Sequence, residues 1–142
     1  MDREELKTKL SAYTTLEAEA RQIREELVRL RAAVESPKAK ALTGMPGGGS
    51  TGDPLLGPVA QIMGLEKRYR AKLERIYSAQ AEIEDLIEPL PPKLRLLMRC
   101  RYIGGKRWEE VCCEIGFEWR QTHRLHNKAL DMILEKMAWN GT

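Results

Sequence analysis

Apolar residues recur along this chain at helical spacing, and strand-like alternation is scarce. From Asp2 to about Glu35, Leu6, Tyr13, Ala20, Leu27 and Val34 fall seven residues apart, with Leu16, Ile23 and Leu30 interleaved three residues later. No Gly or Pro interrupts the run, and charged residues such as Arg24, Glu25 and Glu26 fill the flanks. The spacing predicts a helix over 2–36 that buries a narrow stripe against a partner helix. A second run reads the same way. Leu55, Ile62, Tyr69, Ile76, Ile83 and Leu90 form one seven-residue series, and Val59, Leu73 and Ile87 share the companion series with Glu66 and Gln80. That predicts a helix over 55–89, in which two polar seam residues fix register or orientation at some cost in stability. Between the runs, TGMPGGGSTGDP from Thr43 to Pro54 carries too many Gly and Pro residues to hold a fixed backbone, so 37–54 reads as a flexible linker. Matched lengths around a linker predict an antiparallel coiled-coil arm over 1–90. Pairing with a second chain stays open, because a two-helix ribbon leaves apolar surface that a homodimer would cover.

After Leu90 the pattern changes. Pro91 and Pro92 suit the first turn of a new helix, where the missing N–H has no partner to lose, and that helix carries Leu94, Leu97, Met98, Tyr102 and Ile103. Gly104-Gly105 ends it. Gly116 then sits at the centre of a specific arrangement: Cys112 four before it, Val111 and Ile115 five and one before, Phe117 just after, and Thr122 and Leu125 six and nine after. Two helices crossing steeply over a short turn need a small residue at the crossing and one that accepts positive φ in the turn. The pattern therefore predicts a helix-turn-helix, with Trp108 to Ile115 as its supporting helix and Trp119 to about Lys136 as its second. The domain spans 91–137 and leaves 138–142 as a tail. A small core of Leu94, Met98 and Tyr102, with Trp108 at its edge, should close beneath it.

Composition and charge sharpen this picture. With 42% apolar residues, few aromatics and no runs of Val, Ile and Thr, the chain is expected to be all-α, with a long antiparallel helical arm followed by a C-terminal bundle. No stretch approaches the roughly 20 apolar residues of a membrane helix, and the first residues lack the apolar core of a secretory signal, so no membrane partner and a cytoplasmic location are expected. Three cysteines, two of them adjacent, suit reduced thiols better than a disulfide framework. Residues 1–90 hold 14 Lys or Arg against 15 Asp or Glu, a net of −1, whereas residues 91–142 hold 10 against 6, a net of +4. A polyanion should meet the C-terminal third.

On the second helix of the motif, Thr122, Leu125, Ala129 and Ile133 share one side. Arg120, Arg124 and Asn127 fall opposite, flanked by Gln121, His123 and Lys128. A major groove admits one α-helix, and Arg, Gln, Asn and Lys are the side chains that reach base edges or phosphates. Double-stranded DNA is thus the expected partner. Arg120, Gln121 and Arg124 should lie nearest the bases, and Lys128, Lys106 and Arg107 should reach phosphates.

The stretch Arg99 to Leu130, RCRYIGGKRWEEVCCEIGFEWRQTHRLHNKAL, resembles the sigma-70 region 4-like domain of small phage and prophage transcriptional regulators of the RinA and ArpU late-gene activator type. The shared elements are an RY pair before a glycine break, a W-E-E helix start, the glycine turn, and an R-Q-x-x-R-L-H run followed by A-L. They cover about a quarter of the chain. The resemblance implies a DNA-binding regulator of phage genes that works in a bacterial host and contacts RNA polymerase as sigma region 4 does. One position departs from the pattern: Glu118 stands where Ser or Thr commonly caps the recognition helix.

Other chemistries find less support. Cys112, Cys113, His123 and His126 lack the spacing of paired zinc ligands, and neighbouring helical residues point about 100° apart, so no metal or other cofactor is expected. No Ser, His and Asp grouping and no phosphate-binding loop emerges, which argues against an enzyme. The rival readings are a coiled-coil adaptor docking on another protein and a small terminase-like DNA-packaging component.

Overall fold

The helices form where apolar residues repeat at helical spacing. The computed structural model describes residues 1–35 and 56–140. In chain order it contains α1 (Arg3–Glu35), α2 (Leu56–Ile87), α3 (Pro92–Met98), a π-helical turn (Arg99–Ile103) that continues α3, α4 (Trp108–Ile115) and α5 (Trp119–Asn140). The protein is all-α, and the described residues contain no strand. No described helix is long and apolar enough to cross a membrane. The linker expected over 37–54 lies outside the described residues.

Local chemistry sets each boundary. At the start of α1 the Glu5 N–H donates to Asp2 Oδ1 at 2.8 Å while the Asp2 N–H donates to Glu5 Oε2 at 3.0 Å, a reciprocal cap for orphan amides. Pro91 precedes α3 and Pro92 occupies its first turn, as proline geometry favours. The Gly104 N–H bonds to the Arg99 carbonyl at 2.8 Å, five residues back, which widens the end of that helix into a π turn. Gly104 approaches so closely that a Cβ there would meet the Cys100 carbonyl oxygen at 2.9 Å. α5 runs to Asn140, past the expected end near Lys136, because no helix-breaking residue occurs before Gly141. Most of the expected 138–142 tail is therefore helical.

The chain forms two compact units. One comprises residues 1–17 and 76–142, the other residues 18–75. This grouping differs from an arm over 1–90 and a separate module over 91–137. Within the first unit, Leu6, Leu10 and Tyr13 of α1 are buried, as are Ile76, Ile83 and Ile87 of α2, Leu94, Leu97 and Met98 of α3, and Val111, Ala129 and Leu130. Arg3 makes a two-pronged ion pair with Asp131 of α5, at 2.7 and 2.6 Å, and Lys9 pairs with Glu82 at 2.8 Å. The first helical turns thus belong to the C-terminal bundle. A heptad stripe states that a helix needs a partner without naming it. Each fully buried Leu in that core contributes about 1.5–3 kcal/mol of transfer free energy.

Within the second unit, Ala20 and Leu27 are buried, and ion pairs Glu19–Lys72 and Arg31–Glu66 connect α1 to α2 in antiparallel order. Glu66, a polar residue on the apolar seam, also approaches Arg70 at 3.9 Å. Arg31 at 2.6 Å supplies the charge that makes its half-buried position tolerable.

α4 and α5 are joined by Gly116, Phe117 and Glu118. Gly116 adopts φ 75°, and its N–H bonds to the Cys112 carbonyl at 2.9 Å, closing α4 with a left-handed cap. Its Cβ position has nothing within 4 Å, so the backbone angle, not a tight crossing, is the reason for glycine here. Gly116→Ala is expected to lower stability by about 1 kcal/mol, and Gly116→Asn by less because Asn tolerates this region better. Urea midpoints of the two variants check this. A larger loss in Asn than in Ala would show that space, not φ, is limiting.

Candidate nucleic-acid interface

α5 has two faces of opposite character. Thr122, His126, Ala129, Leu130 and Ile133 are buried, and Leu125 is half-buried beside them. The Thr122 N–H bonds to the Glu118 carbonyl at 2.9 Å, which makes Glu118 the residue that opens the helix, as its sequence position implies. Opposite the buried face, Arg120, Gln121, Arg124 and Lys128 are exposed. Arg120, Arg124 and Lys128 follow one another at four-residue steps, so they form a stripe along the helix surface. Among the described residues none of these three cations has a carboxylate partner, in contrast to Arg3, Lys9, Arg99, Lys106 and Arg107 of the same unit.

The remaining residues expected at the interface sit differently. Lys106 pairs with Glu114 at 2.7 Å, and that hydrogen bond raises the lysine pKa and lowers the glutamate's. Arg107 pairs with Glu110 at 3.1 Å but keeps an exposed side chain. Both pairs lie at the surface, where the net contribution of such a pair is only about 0–1 kcal/mol, so a phosphate can displace the carboxylate cheaply. Asn127 is half-buried rather than standing on the open face. It shares a pocket with Lys7 and Ser11 of α1, whose first turns cover that flank of α5. His123 is also withdrawn from the face. Its ring lies 4.4 Å from that of Trp108 and 4.5 Å from that of Trp119, and its Nε2 is buried with no hydrogen-bond partner among the described residues.

His126 was the less legible histidine. At a position where only polar character shows in the sequence, it is buried, with Nε2 2.7 Å from the Tyr102 hydroxyl and its ring 4.6 Å from Trp108. Burial, followed by the positive charge of Lys7, pushes its pKa down to about 4. Burial pushes Tyr102 up to about 12. The two rings are therefore neutral at physiological pH and link the π turn to α5. The periodic signal was available, since His126 falls four residues after Thr122 and three before Ala129. The residue type masked it. Among the described residues, no cluster of three or more His, Cys, Asp or Glu side chains could hold a metal ion. Cys113 is exposed and Cys100 is buried, its thiol raised by burial.

Two further contacts hold the corner between α4 and α5. Lys93 Nζ donates to the Ile115 carbonyl at 3.0 Å and lies 5.0 Å above the Phe117 ring, placing a cation at the negative end of α4. Arg101 packs its guanidinium 4.7 Å from the centre of the Trp108 ring and donates to the Lys106 carbonyl at 2.9 Å. The start of α5 is thus held by aromatic, imidazole and cationic contacts from three elements.

No family model matches this chain, and no curated protein or solved structure matches it. The assignment of a role rests on the geometry of these residues. Toward its C-terminus, α5 lines an apolar groove of about 690 Å³ with Leu86, Leu90, Met132, Ile133 and Trp139. Glu135 and Lys136 are the charged residues of its lining.

Proposed function

We propose that this protein is a transcriptional regulator of the sigma-70 region 4-like type that binds double-stranded DNA by inserting the N-terminal half of α5 into the major groove. The observation that carries this reading is the exposed stripe of Arg120, Arg124 and Lys128 beside Gln121, without carboxylate partners among the described residues, following a left-handed glycine corner. Cations not already held in ion pairs lower the cost of approaching a polyanion. Guanidinium and amide groups can also make paired hydrogen bonds to guanine and adenine edges. Arg120, Gln121 and Arg124 are assigned to bases, and Lys128, Lys106 and Arg107 to phosphates. The resemblance of Arg99 to Leu130 to late-gene activators supports the same role and adds RNA polymerase as a partner.

Selection of bound duplexes from a random library with the full chain tests the proposal. An enriched motif is expected, and its symmetry would report how many subunits engage. Binding should also weaken steeply with salt: with three phosphates neutralised, by Lys128, Lys106 and Arg107, the log-log slope is about −2.7. A library that returns no enrichment, together with salt-insensitive binding, would remove the reading.

A further inference from the structure

A second polar feature lies beside the exposed stripe. Lys7 and Ser11 of α1, Arg101 of the π turn, Trp108 of α4, and His123 and Asn127 of α5 line a cavity of about 310 Å³, floored by Tyr102 and His126. No carboxylate lines it. The nearest acidic contact is Glu4, which holds Lys7 at 2.9 Å in an exposed pair three residues apart. We infer that this pocket seats an oxyanion of phosphate type, with Lys7 and Arg101 supplying charge and Ser11 and Asn127 supplying hydrogen bonds.

The physical case has three parts. First, the Arg101 guanidinium is held in place before any ligand arrives, by the Trp108 ring on its face and by the bond to the Lys106 carbonyl. One bond uses only part of its donor set, and a planar fork with donors to spare matches tetrahedral oxyanions. Second, the pocket is roomy: about 310 Å³ compares with roughly 30 Å³ for one water. Its lining offers hydroxyl, amide, ammonium and guanidinium donors but no anionic acceptor. His123, one of the lining residues, has a buried Nε2 that lacks any partner among the described residues, and a seated oxygen would satisfy it. Third, the local field is positive. Lys7 and Arg101 both push the His123 and His126 pKa values downward, in addition to burial.

Placement suggests where the phosphate comes from. Asn127 follows Arg124 by three residues and Arg120 by seven, so the pocket lies on the flank of α5 next to the stripe. A duplex lying on the stripe brings its backbone alongside, and α1 then contributes a phosphate clamp. A free phosphate offers the same oxygens, and only this choice of source depends on the duplex-binding reading.

Two arms of one experiment separate the sources, using the full chain and its Lys7→Gln variant. Lys7 is partly exposed and, among the described residues, pairs with Glu4 alone, so the variant should fold, which circular dichroism checks. Without DNA, inorganic phosphate should raise the Tm of the native chain by about 3 °C over chloride at equal ionic strength, and Lys7→Gln should lose that rise. With duplex, Lys7→Gln should weaken binding about tenfold and make the salt slope shallower by about 0.9. A loss in either arm supports the pocket, and a loss in the duplex arm assigns its phosphate to the DNA backbone. A phosphate response in a chain that binds no duplex keeps the pocket and defeats only the duplex reading. Should the native chain bind duplex while Lys7→Gln leaves affinity, slope and the phosphate response all unchanged, the pocket proposal is overturned and the duplex reading stands. For a variant that does not fold, Ser11→Ala is read by the phosphate response and the duplex affinity, both of which should fall, with the salt slope unchanged because the hydroxyl carries no charge.

Discussion

Replacing Arg120 and Arg124 together by alanine is expected to lower duplex affinity on the order of 100-fold, because a side chain that pairs with a base edge is worth roughly 1–3 kcal/mol. Both side chains are exposed, and neither has a carboxylate partner among the described residues, so the double variant should unfold at the native urea midpoint within about 0.5 kcal/mol. That combination separates a binding face from a structural one. The salt dependence then sorts the two contacts. If the guanidiniums reach bases, specificity relaxes at one or two positions of the site and the slope changes little. If they reach phosphates, affinity falls for all sequences alike and the slope becomes shallower by about 0.9 for each contact. Lys128→Ala provides the phosphate reference, with an expected uniform loss. Gel-shift titrations at three salt concentrations, on the selected duplex and on a scrambled one, give every quantity required. Undiminished affinity in the double variant would mean that the stripe is an ordinary solvated face.

What the sequence makes legible is the chemistry that is local to a few residues. Pro91 and Pro92 start a helix, Gly104 and Gly105 end one, and Gly116 bends the chain through a left-handed angle, each because a backbone constraint leaves few alternatives. The buried positions Leu94, Met98, Tyr102, Thr122, Ala129 and Ile133 also follow from spacing, since one face of a short helix must be covered. The choice of partner is less visible. Leu6 and Tyr13 read as the start of a uniform stripe running to Val34, yet they are buried, with Leu10, in the unit that contains α3 to α5. Nothing in a seven-residue repeat marks the point at which one partner replaces another. That change of partner is also why Asn127 was expected on an open face: the chain that covers its flank lies over a hundred residues away in sequence.

The same limit applies to His123 and His126. His123 was expected beside the nucleic-acid face and His126 was given no place on the helix, and only the packing of Trp108 and Trp119 explains why one ring is half-enclosed and the other wholly so. An imidazole suits such a site better than most polar groups, because its uncharged form packs as an aromatic ring and still offers nitrogen to a hydroxyl. The design holds only while the ring is neutral.

Acidification should therefore loosen this corner before it affects most of the chain. An unfolded histidine protonates near pH 6.5, whereas the buried His126 holds out to about 4. Between those values the unfolded state binds more protons than the folded state, so stability falls as pH is lowered through the window and is fully present above it. Below about pH 4 both states are protonated and this contribution levels off. The difference of about 2.5 pH units corresponds to roughly 3 kcal/mol, a large share of the 5–15 kcal/mol typical of a folded domain. The lowered carboxylates, Glu19, Glu114 and Asp131, contribute in the same direction, but their ordinary values of 4.5 and 3.8 confine their effect to the acid end. The interval from pH 6.5 to 5 belongs to the histidines. His123 is lowered as well, by burial and then by Arg101 and Lys7, so two rings share it. Urea midpoints measured across this interval should fall steadily for the native chain. His126→Gln keeps an amide able to meet the Tyr102 hydroxyl and removes the titration, so its slope should be much flatter, and the double variant with His123→Gln should be nearly level. A native slope that persists in the double variant would place the acid sensitivity elsewhere. Because His126 faces the same pocket as Arg101 and Lys7, its protonation would add a third charge to a site already positive, and the contact between the π turn and α5 should be the first to open.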